Sequence, residues 1–94
     1  MSSYLGGYVP CQESQSEHAK KLCQWAVAEH NKQGHHLTFV SLLKCESQVV
    51  DGTNWRLVMK CKDENNYEGN YEAVVWEKIL EGFLQLISFF PLLT

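Results

Sequence analysis

The sequence predicts an α+β domain, one amphipathic helix laid on a four- to five-stranded antiparallel sheet. Three observations carry that expectation. Apolar residues recur at three- and four-residue steps between Ala19 and His30. After Gly34 the period turns to two. Asp51-Gly52 then separates two runs rich in β-formers, where a hairpin turn is wanted.

The elements follow in order along a chain of 94 residues, short enough that 1–94 is read as one domain. Residues 1–13 form a flexible trunk, with Gly6-Gly7 permissive and Pro10 barring helix continuation. Ser14 and Glu17 have capping-box spacing and open a helix over 14–33 whose apolar face is Ala19, Leu22, Cys23, Ala26, Val27 and His30. Gly34 closes it, where a left-handed residue is favoured. The sheet occupies 36–90, with a hairpin tip at 48–52. His36 to Val50 reads as its first long strand, and Trp55, Leu57, Met59 and Cys61 alternate with Arg56, Val58, Lys60 and Lys62 in the next. Asp63 to Asn70 reads as a loop, Tyr71 to Lys78 as a strand and Phe83 to Phe89 as the last one.

Composition narrows the function. A 45% hydrophobic and 20% charged balance suits a small globular core and leaves little room for a deep substrate pocket. Eight Lys+Arg against eleven Asp+Glu give a net charge of −3, with the basic residues spread from Lys20 to Lys78. A nucleic-acid partner needs a basic stripe and is not expected. No apolar run approaches the roughly 18 residues of a spanning helix, so a membrane partner is not expected either. The opening residues lack the apolar stretch of a secretory leader. As written the chain is expected in the cytoplasm, and secreted or vacuolar if a leader has been removed.

Cys11, Cys23, Cys45 and Cys61 contain no C-x-x-C pair, which disfavours a zinc ribbon or a dithiol redox motif. An even count permits two disulfides in three connectivities, while helix and strand positions favour reduced, buried thiols. The second state is the one expected. His30, His35 and His36 gather near the helix end, seven residues beyond Cys23. Their spacing fits no metal pattern, a helix C-terminus favours histidine in any case, and nothing argues for an oxyanion site. No catalysis, metal or cofactor is expected. Trp25, Trp55 and Trp76 are read as packing residues.

Several separated segments resemble the plant cystatins, small protein inhibitors of papain-like cysteine proteases. The helix segment Leu22-Cys23-Gln24-Trp25-Ala26-Val27-Ala28-Glu29-His30-Asn31 is similar to that branch's Leu-Ala-Arg-Phe-Ala-Val-x-Glu-His-Asn. Gln48-Val49-Val50-Asp51-Gly52 is similar to its Gln-Val-Val-Ala-Gly hairpin, and Gly6-Gly7 to its trunk glycines. Tyr71-Glu72-Ala73-Val74-Val75-Trp76 resembles its third strand. The resemblance implies a reversible, competitive inhibitor that enters the protease groove as a wedge and reacts with nothing. Its protease-binding residues would be Leu5, Gly6, Gly7 and Tyr8 in the trunk, Gln48, Val49, Val50, Asp51 and Gly52 in the first hairpin, and Ile79 and Leu80 in the second.

Two departures stand out. Ile79-Leu80 occupies the place of the Pro-Trp that the family carries, so a rigid aromatic is lost. Asp51 replaces an alanine and puts a carboxylate at the wedge tip, unfavourable to desolvate unless it stays at a wet rim or meets a cation. These changes feed an alternative, a non-inhibitory interaction or storage module. A domain-swapped dimer that consumes the first hairpin is a further one, although a monomer is expected. Phe83 to Leu93 is more apolar than a final edge strand requires. It invites three placements: folded over the sheet, docked on a neighbouring subunit, or exposed as an aggregation-prone edge.

Overall fold

The structure is a computed structural model and describes residues 7–93. A short strand β1 (Val9–Pro10) precedes the helix α1 (Ser16–Asn31), which is followed by β2 (Thr38–Val50), β3 (Gly52–Lys62), β4 (Glu68–Lys78) and β5 (Phe83–Pro91). The strands form one antiparallel sheet in the order β1-β2-β3-β4-β5. Between β1 and β2 the chain makes its one long excursion, through α1, which covers a single face of the sheet.

The helix buries the stripe that its periodicity predicts: Ala19, Leu22, Cys23, Ala26 and Val27. Three of these side chains are small, which lets the helix approach the sheet closely. They meet Trp55, Leu57, Met59 and Cys61 from β3 and Ala73 and Val75 from β4, all buried. Burial of a Leu- or Met-sized side chain contributes about 1.5–3 kcal/mol each. The central pair of strands thus carries most of the sheet's share of the core.

The helix start differs from the capping-box expectation. Ser14 lies inside a 3₁₀ turn over Glu13–Gln15. The Gln12 backbone N–H donates to the Gln15 side-chain oxygen at 2.8 Å, and the Gln15 N–H to the Gln12 carbonyl at 2.9 Å. A tight turn in front of α1 satisfies the leading amides one step earlier than a hydroxyl cap at Ser14 would. At the far end Gly34 has φ +94°, the left-handed conformation expected of it.

The outer strands break strict alternation. Register shifts between Phe39 and Ser41 and between Leu42 and Lys44 bring Phe39, Leu42 and Cys45 onto the core at three-residue spacing. A further shift in β5 does the same for Leu84, Leu86 and Phe89. The apolar C-terminal stretch is therefore part of the sheet: Leu84, Leu86 and Phe89 pack on the core, while Phe83, Ile87 and Phe90 remain exposed. The loop after β3 is also shorter than expected. Asp63 Oδ1 accepts the amides of Asn65 and Tyr67 at 2.8 and 3.0 Å, Asn66 takes φ 66°, and β4 already pairs at Glu68 with Lys62.

The expectation of four reduced cysteines is overturned. Cys11 and Cys45 form a disulfide, Cα atoms 5.4 Å apart, whereas Cys23 and Cys61 are free and buried. Cys45 shares the inward face with Phe39, since the two β2 shifts between them cancel, and pairing of β1 with β2 brings Cys11 opposite it. Closing a loop over this 34-residue separation is worth about 4 kcal/mol in the chain-entropy picture.

Candidate functional site

One end of the sheet presents two hairpins side by side. In the first, Val50 pairs with Gly52 across Asp51. Gly52 has φ +94°, and a Cβ there would overlap the Glu77 carbonyl oxygen and crowd Lys78 Cγ. Only glycine suits both the turn and the close approach of β4. The second connection is a 3₁₀ turn over Ile79–Glu81, ended by Gly82 at φ 61°. Val49 is 75% exposed, Ile79 68% and Leu80 99%, with Val50 at 40%. Exposed aliphatic side chains on neighbouring turns form an apolar edge that nothing among the described residues covers.

The two turns are tied together. Lys78 Nζ lies 3.0 Å from Asp51 Oδ2 and 3.7 Å from Glu81 Oε2. Hydrogen bonding to Asp51 holds the Lys78 ammonium above its ordinary pKa of 10.5, with the charges of Asp51 and Glu81 adding to it. The Trp76 indole N–H donates to the Asp51 carbonyl at 2.7 Å. Asp51 thus meets a cation at the tip and braces one hairpin against the other. Gln48 accepts from Asn54 Nδ2 at 3.0 Å across the first hairpin, stiffening the stem below the tip.

Behind the turns lies a buried acid that sequence reasoning missed. Glu77, 8% exposed, accepts the Trp55 indole N–H at 3.0 Å and faces His18 Nε2 with both carboxylate oxygens, at 2.8 and 3.0 Å. It joins the first turn of α1, β3 and β4 at the base of a hollow of about 320 Å³ between the hairpins. The signal was present, because the inward series Ala73, Val75 continues to Glu77, and a carboxylate on a core face must find donors.

The trunk residues divide. Leu5 and Gly6 lie outside the described residues. Gly7 is exposed, and the Tyr8 ring lies beneath the Arg56 guanidinium at 4.3 Å. Arg56 in turn donates from Nε and Nη2 to Glu46 Oε1 at 2.9 and 2.7 Å, which holds the Glu46 carboxyl below its usual range. Val9 pairs with Ser47 and Pro10 with Glu46 antiparallel, so continuing the trunk toward its N-terminus carries it toward Val49 and Val50. Trunk and first hairpin thus converge on the same end.

Among the described residues no Cys–His nucleophile pair forms. Burial, with Cys61 adding to it, pushes the Cys23 thiol up to about 12, and burial pushes Cys61 to about 11. His30 stacks on His35 at 3.9 Å and on Phe89 at 4.2 Å instead. Among the described residues no group of three or more His, Cys, Asp or Glu is placed to hold a metal ion.

The fold is that of a salivary cystatin from the soft tick Ornithodoros moubata, with a TM-score of 0.77 over 92% of this chain and 96% of that one, at 15% identity. The chain is 45% identical over 85 residues to cysteine proteinase inhibitor 1 of Actinidia chinensis var. chinensis, covering 89% of this chain and 72% of the relative. It is 35% identical over 88 residues to cysteine proteinase inhibitor 5 of Arabidopsis thaliana, covering 93% and 72%. A family model described as aspartic acid proteinase inhibitor matches residues 11–92. The chain belongs to the cystatin family of proteinase inhibitors, in its plant branch. It is an inhibitor-family protein rather than an enzyme.

Proposed function

We propose that the chain inhibits papain-like cysteine proteases reversibly and competitively, by seating the trunk and both hairpins in the active-site groove. The observation that carries this reading is the uncovered edge of Val49, Ile79 and Leu80, preorganised by Gly52 and the Asp51–Lys78 pair. Because backbone pairing already holds the tips, little conformational entropy is lost on docking. Leu80 takes the outermost position and supplies the apolar contact of the second hairpin. Gly7 and Tyr8 continue the edge along the non-primed side of the groove, with Leu5 and Gly6 beyond them. Titrating papain with the full chain should give stoichiometric, dilution-reversible loss of activity, and Leu80→Ala should weaken it about tenfold as an exposed anchor is removed. Absence of inhibition at micromolar excess would overturn the reading.

A second reading rests on the family model, whose description names aspartic proteinases and whose match begins at Cys11, downstream of Leu5, Gly6, Gly7 and Tyr8. On that reading the trunk is dispensable. Deleting residues 1–7 distinguishes the two: cysteine protease inhibition through the wedge should weaken, whereas inhibition of a pepsin-type enzyme should persist.

A further inference from the structure

We propose that the Cys11–Cys45 disulfide is an exchange site for small thiols of the glutathione class, and that its opening releases the N-terminal trunk from the first hairpin. Placement argues for it first. Cys11 directly follows β1, and Cys45 lies in β2. β1 is only two residues long, and Pro10 has no amide hydrogen to offer the sheet. Besides the disulfide and the two-residue pairing of β1 with β2, the trunk is held by the Cys11 N–H to Cys45 carbonyl bond at 3.0 Å and by Arg56 over Tyr8. Such short pairing does not hold a strand against fraying on its own.

Accessibility argues for it next. Cys11 and Cys45 are half-buried at the edge of the molecule, while Cys23 and Cys61 are sealed in the core. The buried thiols stay protonated near neutral pH, so they neither compete in exchange nor scramble the bridge. Both bridge cysteines pack against the core cluster from its margin rather than within it, so the helix and central strands keep their mutual packing when the bridge opens.

The chemistry balances. A thiolate R–S⁻ attacks one sulfur of the bridge, forming a mixed disulfide and expelling the other cysteine as a thiolate, which takes up a proton. A second R–S⁻ then releases the remaining cysteine as its thiol and leaves R–S–S–R. The protein disulfide gains two electrons and two protons, and two small thiols are oxidised to one disulfide. The reverse reaction, with R–S–S–R as oxidant, closes the latch.

The inhibitory consequence rests on the wedge reading above, so the test has one arm without a protease. Thiol titration of the air-oxidised native chain should find no reactive cysteine, and two after mild treatment with glutathione. Four thiols in freshly purified protein titrated under denaturing conditions would mean that no bridge forms and would overturn the proposal. By hydrogen exchange, the amides of Val9 and Cys11 should lose nearly all protection on reduction and in Cys11→Ser/Cys45→Ser, while the core amides stay protected, lowered together by no more than the bridge's own contribution to global stability. Unchanged protection at both would also overturn it.

The second arm titrates papain, preactivated and freed of reductant, with the oxidised chain and with the Ser/Ser variant. The variant should bind about tenfold more weakly, because its trunk must be ordered on docking. Equal inhibition by both would overturn the functional half of the proposal. Absence of inhibition by either chain, together with the expected exchange result, would overturn the wedge reading and leave the latch established.

Discussion

The two ends of the sheet solve opposite problems. At the hairpin end the backbone is satisfied by pairing, the turns are braced by Asp51, Lys78 and Trp76, and Val49, Ile79 and Leu80 are left facing solvent. At the other end side chains close the fold. Asn31 donates from Nδ2 to the Leu37 carbonyl at 2.9 Å and accepts the Leu37 N–H at 3.0 Å, steering the chain from α1 into β2. His30, stacked between His35 and Phe89, packs the end of the helix against β5. The first end leaves aliphatic side chains spare on two braced turns, whereas the second locks helix to sheet through Asn31, His30 and Phe89, even though Tyr67 and Leu93 stay exposed there.

That contrast can be broken from either side. The largest effect is expected at Gly52. Gly52→Ala meets both a left-handed φ and the Glu77 carbonyl, and should cost about 2 kcal/mol or more in denaturant unfolding along with most of the inhibition. Glu77→Ala comes next, leaving the Trp55 N–H and His18 without their acceptor, at about 2 kcal/mol. Glu77→Gln should recover part of that loss, since it keeps one acceptor oxygen; full recovery would show that charge plays no role there. At the opposite end Asn31→Ala removes both bonds to Leu37 and should cost about 1 kcal/mol without altering protease affinity. A weakened inhibitor in that case would mean that the two ends are coupled.

Acidification probes the same end more gently. Burial, followed by the neighbouring His35, lowers the His30 pKa from 6.5. The unfolded chain therefore takes up that proton first, so the contribution is fully present above pH 6.5 and declines as pH falls through the native value. Glu46, held low by its bond from Arg56, loses its contribution at more acid pH, below its ordinary 4.5. Urea midpoints between pH 8 and 5 should fall on the acid side, and less steeply in His35→Gln; identical slopes would sink the account of the stack. Asp51→Ala should have the smallest effect. The pair with Lys78 is exposed on the Asp51 side, and its removal trades a brace for a less costly apolar tip, leaving the inhibition constant within about threefold. A larger change would assign the carboxylate a contact of its own with the protease.

Much of this was readable along the chain because it is local. The helical stripe from Ala19 to Val27, the period-two run from Trp55 to Cys61 and the turn at Asp51-Gly52 each follow from neighbours a few residues apart. The hairpin residues of the candidate site were legible for the same reason, through their family-like spacing. Where bulges intervene, the pattern fails. Phe39, Leu42 and Cys45 follow no strand period, and the apolar tail made sense only once Leu84, Leu86 and Phe89 were seen to reach the core around a register shift.

By itself the sequence determined the α+β architecture, the helix face and the hairpin tip, since backbone propensity and side-chain periodicity act over a few residues. Tertiary structure alone decided which cysteines pair, what Glu77 is for and what Asp51 touches. His18 and Glu77 are 59 residues apart, Cys11 and Cys45 34, and Trp76 and Asp51 25. Contacts of that range depend on strand register and on how the helix seats on the sheet. Those are collective results of packing the whole chain, and no short window of residues encodes them.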